Sequence, residues 1–434
     1  MKIAFHTLGC KVNQYETEAL AERFAEKGHE IVGETDFADV YIINTCSVTS
    51  LADRKSRQYI RRMKKINPDS IVAVTGCYSQ VAPEEVASVE GVNVVTGTNE
   101  KSRLPEYIDL YAGNPGPQII RVKSREELDT YDEMGIITSM ESRTRAYIKI
   151  QEGCNRFCSY CIIPYARGDV RSRAPEDVVA EAKALIEKGF KEIVLTGINT
   201  ALYGTEKGFA EKYGSDSGIE IIINKINALD GDFRIRLSSL EPTVINAEYV
   251  KNLMKYDKLC HHLHLSVQSG SDNIIKAMNR HYTKAEYLEI VDTLKSFDPG
   301  YGITTDIIAG FPGETEEDFR ESIDIIKKAG FCKVHAFNYS KRPGTKAADM
   351  KGHLPPDLKS RRTKELMTAG EEASKAFYER NKGTVRRVLF EEIDVAKNEL
   401  VGYTDNYIKV YVECRDGKGY KENEFFDIKL IAMY

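Results

Sequence analysis

Strand-like apolar runs alternate with helix-period segments along most of this 434-residue chain, and this alternation constrains the fold more than any other feature. Within residues 1–97 the strand-like runs are KIAF, DVYIIN, SIVAVTG and VNVVTG. Helical segments such as YETEALAERFAEKG and LADRKSRQYIRRMKKI lie between them. A βαβ order of this kind favours a parallel sheet with helices on its faces. We therefore expect an open parallel sheet at the N-terminus.

A second βα series begins at Ala146. Its candidate strands are AYIKI, EIVLTG, FRIRLSS, HLHLSV, YGITTDIIAG and CKVHAF. Six βα units predict a curved or partly closed parallel barrel. The polar and turn-rich residues 98–145, which include YAGNPGPQ, indicate a connecting segment.

The tail has a different pattern. After a charged helix that ends near Gly383, strand-like alternation appears in VRRVLFEE, ELVGYTDNYIKVYVE and FFDIKLIAMY, which predicts a small β-domain. A chain of 434 residues also exceeds what one hydrophobic core usually serves. We predict three domains, over residues 1–110, 140–368 and 370–434.

The charge balance and the cysteine content limit the partners and the compartment. The 61 Lys and Arg against 66 Asp and Glu give a net charge of -5, so a nucleic acid must be held by a local basic face. No stretch of about 18 apolar residues is present, so we expect no membrane span. Nine cysteines in a large chain suit metal ligation in a reducing compartment, and we expect the protein in the cytoplasm.

Cys154, Cys158 and Cys161 lie on one short loop directly after the predicted strand AYIKI. Active sites of βα barrels lie at the carboxyl ends of the strands. Three thiolates can bind three irons of a 4Fe-4S cluster, which leaves the fourth iron open to an exogenous ligand. The alternative is a structural zinc site, but structural zinc normally takes four protein ligands, and no partner C-x-x-C pair occurs nearby.

The C-x-x-x-C-x-x-C spacing resembles the radical S-adenosylmethionine superfamily. That resemblance implies an open iron that chelates the amino and carboxylate groups of S-adenosylmethionine, an external one-electron reductant of the flavodoxin or ferredoxin type, and a 5′-deoxyadenosyl radical that removes hydrogen from an unactivated C–H bond. It places Glu241 near the polar groups of the cofactor, Tyr160 beside the adenine, and Ile308 packed on it. The cofactor-binding positions that it implies are Phe157, Tyr160, Gly197, Asn199, Ser238, Glu241, Gln268, Asp306 and Ile308. Each of these residues alone is also compatible with ordinary strand-end chemistry.

Cys10, Cys46 and Cys77 each follow a predicted N-terminal strand within a few residues, in TLGCKVNQ, INTCSVTS and VTGCYSQ. The carboxyl ends of parallel strands share one edge of a sheet, so we expect these thiols to converge. Three thiolates again leave one iron open, which predicts a second 4Fe-4S cluster. The alternative is three separate buried thiols.

The N-terminal triad, the radical core and the C-terminal β-domain together resemble the methylthiotransferases over almost the whole chain. The resemblance implies a flavodoxin-like open sheet, a partial (β/α)6 radical S-adenosylmethionine barrel and a small β-barrel of the TRAM type. It also implies two 4Fe-4S clusters and S-adenosylmethionine as cofactors, with a sulfur donor supplying the auxiliary cluster. One cofactor molecule donates a methyl group and another supplies the radical, so that a –SCH3 group is inserted into a C–H bond.

The segment TLGCKVNQYETE looks most like the family members that modify carbon 2 of N6-threonylcarbamoyladenosine at position 37 of the tRNA anticodon loop. Isopentenyladenosine enzymes tend to show CQMN at this place, and enzymes that act on a ribosomal protein show CPKN. Those substrates remain alternatives, as does a non-catalytic iron–sulfur or zinc RNA-binding protein.

A basic helix indicates where the tRNA anticodon stem-loop binds. Arg54, Lys55, Arg61 and Arg62 lie on one segment after Cys46, and an RNA backbone needs such cations to displace its counterions. The alternative is a solvated helix face. Arg167 and Arg171 follow the radical loop, where they reach phosphates or the cofactor carboxylate, or else form salt bridges. In the tail, Tyr403, Tyr407 and Tyr411 either stack on bases or belong to a core.

Overall fold

The computed structural model describes residues 1–138, 140, 144–214, 218–414 and 419–431. The N-terminal elements are β1 (Lys2–Thr7), α1 (Lys11–Glu26), β2 (Glu30–Val32), β3 (Val40–Thr45), α2 (Ser50–Ile66), β4 (Ile71–Gly76), α3 (Cys77–Val81), α4 (Pro83–Ala87), β5 (Val94–Thr96), α5 (Leu104–Gly113) and β6 (Ile119–Arg121). The strands form one sheet in the order β2-β1-β3-β4-β5-β6, and every pair is parallel. The predicted open parallel sheet is confirmed.

This sheet is larger than the sequence pattern predicts. Strands β2 and β6 have three residues each, and α5 and β6 lie inside the segment expected to be only a connection. Such short strands show too little alternation to be recognised, and pairing with β1 and β5 is what holds them in the sheet. The sixth strand lies beyond residue 110, and the three domain ranges stay predictions.

The second series forms a partial barrel. Its elements are β7 (Arg145–Glu152), α6 (Ile163–Arg167), β8 (Arg171–Ser172), α7 (Pro175–Glu187), β9 (Glu192–Gly197), α8 (Phe209–Tyr213), α9 (Gly218–Asn227), β10 (Arg234–Leu237), β11 (Ser239–Leu240), α10 (Ala247–Leu253), β12 (His262–Leu265), α11 (Asp272–Ala277), α12 (Lys284–Phe297), β13 (Gly302–Ala309), α13 (Glu316–Ala329) and β14 (Lys333–Asn338). Two sheets, β10-β9-β7-β8 and β11-β12-β13-β14, follow one another through the β10–β11 junction at Ser238. All six predicted strands are present.

The C-terminal part begins with the long helix α14 (Pro356–Asn381), followed by β15 (Val385–Asp394), β16 (Glu399–Thr404), β17 (Lys409–Glu413) and β18 (Phe425–Lys429). These four strands form an antiparallel sheet in the order β17-β16-β15-β18. The run ELVGYTDNYIKVYVE is two strands joined by a turn in which Tyr407 has a φ of 72°. The end of FFDIKLIAMY, residues 432–434, lies outside the described residues.

The loop between β16 and β17 closes the amino end of the barrel. Arg234 donates to the Tyr403 carbonyl at 3.1 Å, and Arg236 donates to the Asp405 carbonyl at 3.0 Å. The Tyr407 ring stacks on His262 with the ring centroids 4.6 Å apart. The base-stacking role considered for Tyr407 is therefore replaced by a contact with the barrel. Within the described part of the chain, no helix is long and apolar enough to cross a membrane.

Candidate active site

The radical-type cysteine loop starts at Gly153, where β7 ends. Gly153 has a φ of +74°, and a Cβ there would lie 1.8 Å from the Asp169 carbonyl oxygen, so only glycine fits. Cys154 donates its backbone N–H to Gly168 at 3.0 Å, and Ser159 donates to Met278 at 2.9 Å. The loop is thus held from two sides, with Cys154, Cys158 and Cys161 partly exposed along it.

Arg280 and Asn279 support this loop, and neither is part of a recognisable motif. Asn279, with a φ of 58°, donates its side-chain amide to the carbonyls of Arg156 and Phe157 at 3.3 and 3.0 Å. The guanidinium of Arg280 lies 3.5 Å from the Cys158 Sγ and 3.5 Å from the Tyr160 hydroxyl. A fixed positive charge therefore faces one of the candidate cluster ligands.

Several of the predicted cofactor residues lie together. Glu241 accepts a hydrogen bond from Asn199 Nδ2 at 2.8 Å, and Arg280 and Arg156 approach the same carboxylate at 3.6 and 3.8 Å. Tyr160 and Ile308 pack in one apolar cluster, as expected for residues that enclose an adenine.

The remaining predicted cofactor positions line the strand ends. Gly197 ends β9, and Ser238 lies between β10 and β11. Gln268, with a φ of 63°, bridges to the backbone of Asp306 and Ile308. Phe157 also has a positive φ, of 49°, and its ring lies beneath the guanidinium of Arg125. Positive φ at a non-glycine residue is a strained conformation that clusters at ligand sites.

The N-terminal triad converges as predicted. Asn13 donates to the carbonyls of Leu8 and Thr45 at 2.7 and 3.0 Å, which ties the first cysteine loop to the second. Thr45 donates to the Thr75 carbonyl at 2.6 Å and ties the second loop to the third. A Cβ on Gly9 would lie 3.0 Å from the Cys46 Sγ, so glycine there lets the first loop close on Cys46.

Two thiols of each triad, Cys46 and Cys77 in one and Cys154 and Cys161 in the other, have raised pKa values. Burial raises the pKa of Cys46 to about 12, with a further contribution from Cys77 and Cys10. Burial likewise raises the pKa of Cys154 to about 12, and the neighbouring Cys158 adds to the effect. Because the thiols of each triad repel one another as thiolates, ionising three together requires a positively charged partner such as an iron cluster.

A buried ion cluster, composed of Glu16, Lys101, Lys149, Glu152, Arg167 and Arg171, connects the two triads. Arg167, on α6 after the radical loop, donates to Glu16 Oε1 at 2.8 Å and to Asn13 Oδ1 at 2.8 Å. Burial raises the pKa of the Cys77 thiol, and the positive charge of Arg167 acts in the opposite direction. Both Arg167 and Arg171 are buried in ion pairs inside the protein, so their side chains are not exposed to RNA.

The residues around the two triads suit the iron–sulfur clusters and the S-adenosylmethionine that the sequence predicts. In the buried ion cluster four cations pair with two carboxylates, so positive charge remains beside Cys77, where three thiolates would bring negative charge. In the barrel, Asn199 Oδ1 is buried with no hydrogen-bond partner among the described residues, which fits a ligand that carries an ammonium group. Among the residues that the structure describes, no three His, Cys, Asp or Glu side chains are arranged to hold a single metal ion.

The basic face of α2 is exposed, which fits both RNA binding and a solvated helix face. Arg54, Lys55, Arg61 and Arg62 face solvent, while Ser56, Ile60 and Met63 form the buried side of the helix. Arg342, from the loop after β14, donates to Asp53 Oδ2 at 2.7 Å and to Ser47 Oγ at 2.7 Å. The start of α2 and the Cys46 loop are therefore attached to the barrel, an attachment that no sequence motif indicates.

Lys11, next to Cys10, points towards the barrel interior. Its Nζ lies 5.2 Å from the centroid of the Tyr147 ring on β7. The side chain is accessible to solvent but surrounded by protein, and this desolvation, together with the charges of Arg145 and Arg236, lowers the pKa of Lys11 to about 8.

Comparison with known proteins agrees with this arrangement. Residues 148–326 match the model of the radical SAM superfamily, and residues 2–97 match the uncharacterized protein family UPF0004. The chain is 42% identical over 417 residues to the threonylcarbamoyladenosine tRNA methylthiotransferase MtaB of Bacillus subtilis. The aligned region covers 94% of this chain and 89% of that protein. The chain belongs to the methylthiotransferase family.

Membership of this family confirms the resemblance deduced from the cysteine motifs, and with it S-adenosylmethionine and two 4Fe-4S clusters as cofactors. A second relative, the tRNA-2-methylthio-N(6)-dimethylallyladenosine synthase of Caldicellulosiruptor saccharolyticus, is 36% identical, with 98% of this chain and 89% of that protein covered. Among solved structures, the radical S-adenosylmethionine methyltransferase TsrM of Kitasatospora setae superimposes with a TM-score of 0.61 at 14% identity, over 80% of this chain and 77% of that one. That likeness supports the fold alone.

Proposed function

We propose that this methylthiotransferase adds a methylthio group to carbon 2 of N6-threonylcarbamoyladenosine at position 37 of tRNA. The observation that carries the proposal is the pair of cysteine triads at the carboxyl edges of two parallel sheets, joined through Arg167. The higher identity to the threonylcarbamoyladenosine enzyme, 42% against 36% for the dimethylallyladenosine enzyme, supports this choice of base.

In this proposal, Cys154, Cys158 and Cys161 ligate the radical cluster, and Cys10, Cys46 and Cys77 ligate the auxiliary cluster. When bound, the radical cluster supplies the electron that cleaves S-adenosylmethionine, and the auxiliary cluster supplies sulfur. Asn199 and Glu241 orient the amino group of the cofactor, and Arg280 holds positive charge beside Cys158.

The exposed cations of α2, namely Arg54, Lys55, Arg61 and Arg62, bind the backbone of the anticodon stem-loop in this proposal. An external reductant of the flavodoxin or ferredoxin type and an external sulfur donor complete the reaction in the cytoplasm, a location supported by nine cysteines without a disulfide among the described residues. We also propose that residues 1–110, 140–368 and 370–434 are its domains.

The decisive experiment is nucleoside mass spectrometry of tRNA from a strain that lacks the gene. The proposal expects loss of 2-methylthio-N6-threonylcarbamoyladenosine and its return on complementation. An unchanged tRNA profile would leave the ribosomal-protein substrate, and loss of the isopentenyl derivative would assign the other base. A protein that only binds RNA would release no 5′-deoxyadenosine when the reconstituted protein meets S-adenosylmethionine and dithionite.

Cysteine variants separate the two triads. Cys158→Ala is expected to abolish cofactor cleavage and to retain the iron of the auxiliary triad, about four atoms per chain. Cys46→Ala is expected to retain cleavage and to stop thiolation. Loss of all iron from either variant would contradict separate sites.

A further inference from the structure

The interior of the barrel contains a lysine that is not neutralised by the protein. Lys11 is the first residue of α1, and its ammonium lies over the Tyr147 ring at 5.2 Å. The side chain is exposed, and within the described part of the chain it takes part in no ion pair or hydrogen bond. A solvent-accessible lysine that has no anionic partner among the described residues is suited to bind an anion from a ligand.

The wall near Lys11 is also positively charged. Arg145, Arg234 and Arg236 all bind the single carboxylate of Glu192, and Arg145 reaches a second carboxylate, Glu391. These arginines are each paired with a carboxylate and contribute positive potential, whereas Lys11 takes part in no ion pair among the described residues.

The segment after Gly9 reads Cys-Lys-Val-Asn, so the lysine directly follows a candidate ligand of the auxiliary cluster. A threonylcarbamoyl group ends in a carboxylate, while an isopentenyl group carries no charge. A cation at this position therefore distinguishes the two modified bases by charge.

We propose that Lys11 determines specificity by binding the carboxylate of the threonylcarbamoyl group, which holds the target base next to Cys10. This inference rests on the proposed function. A charge-assisted hydrogen bond of this kind is expected to strengthen binding by about ten- to a hundredfold over a neutral ligand. Because the Tyr147 ring covers one side of the Lys11 ammonium, the carboxylate approaches from the side opposite the ring.

The test is RNA binding by the reconstituted full-length protein, measured by fluorescence anisotropy at constant salt. Three anticodon stem-loops carry at position 37 threonylcarbamoyladenosine, its methyl ester, or unmodified adenosine. The unaltered protein is expected to bind the acid at least about tenfold more tightly than the ester. Lys11→Gln and Lys11→Met are expected to bind acid and ester equally, and Lys11→Arg to keep the preference.

Lys27→Gln is the matched control, since it removes one exposed lysine at the other end of α1, where the side chain pairs with Asp109. It is expected to behave like the unaltered protein. Iron content checks that each Lys11 variant still assembles both clusters, and Lys11→Arg serves as the folded reference.

Each other outcome has a distinct meaning. Equal binding of acid and ester by an unaltered protein that still methylthiolates the acid would overturn the role of Lys11 and leave the proposed function intact. Absence of methylthiolation of the acid would overturn the proposed function itself. If Lys11→Gln weakened the binding of all three RNAs by the same factor, Lys11 would bind a phosphate of the RNA backbone. If it weakened the binding of S-adenosylmethionine in equilibrium dialysis, Lys11 would bind the carboxylate of the cofactor. Both results would overturn the proposal.

Discussion

Removing the charge of Glu16 should loosen the contact between the N-terminal sheet and the barrel. Its carboxylate accepts hydrogen bonds from Arg167 at 2.8 and 3.1 Å and from Lys149 at 3.2 Å, and it also pairs with Lys101. Glu16→Gln keeps the shape of the side chain but leaves three buried cations without their shared anion. Breaking a buried ion pair from one side costs about 3–5 kcal/mol, so we expect a loss of free energy of unfolding in that range.

The assay is urea unfolding of cluster-free protein, followed by both far-UV circular dichroism and tyrosine fluorescence, whose transitions must coincide for a two-state free energy. Glu26→Gln, on the exposed face of α1, is the control and should change the free energy by less than about 0.5 kcal/mol. Adding Arg167→Met to Glu16→Gln should recover part of the loss, because one stranded cation is removed. A change below about 1 kcal/mol for Glu16→Gln would refute the reasoning.

The Glu16 carboxyl group also predicts how the stability of the fold depends on pH. Burial alone would raise the pKa of Glu16, but the charges of Arg167, Lys101 and Lys149 hold it well below its ordinary value of 4.5. Its contribution to stability is therefore complete above pH 4.5 and is lost as the pH falls towards the folded-state pKa. The unaltered protein should lose stability through this acidic range more steeply than Glu16→Gln does.

Three further variants test individual contacts. Gly153→Ala should lose the iron of the radical triad and keep that of the auxiliary triad, because its Cβ would collide with the Asp169 carbonyl; equal loss from both triads would contradict this. Arg342→Ala should destabilise the Cys46 loop by about 3 kcal/mol, since Asp53 loses its buried partner, and iron analysis should show a selective loss from the auxiliary triad. Replacing both Arg61 and Arg62 with Gln should weaken binding of every anticodon stem-loop alike and reduce the salt slope by about two, whereas a slope equal to that of the unaltered protein would exclude α2 from the interface.

Much of the fold follows from local pattern. The six barrel strands and the N-terminal strands β1, β3 and β4 are apolar runs of a length that a sequence displays, and the three-residue β5 lies within the longer apolar run VNVVTG. Their order and the parallel sheets could therefore be predicted. The three-residue strands β2 and β6 and the short β8 could not, because segments this short show no recognisable alternation and are defined by pairing with a neighbouring strand. For the same reason the segment after residue 98 looks like a simple connection and is partly sheet.

The sequence by itself determined the expected metal chemistry, since ligand type and position at a strand end are local properties: all six candidate cluster cysteines follow the ends of the strands where the motifs place them. Only the tertiary structure decided which charges serve those sites. Arg167 has the same local appearance as the exposed Arg61, yet it is buried against Glu16, and Arg280 meets Cys158 across 122 residues of sequence. Whether an arginine faces RNA, a cluster ligand or a carboxylate depends on what the rest of the fold packs against it, and burial then fixes its partner because an unpaired charge there is too costly.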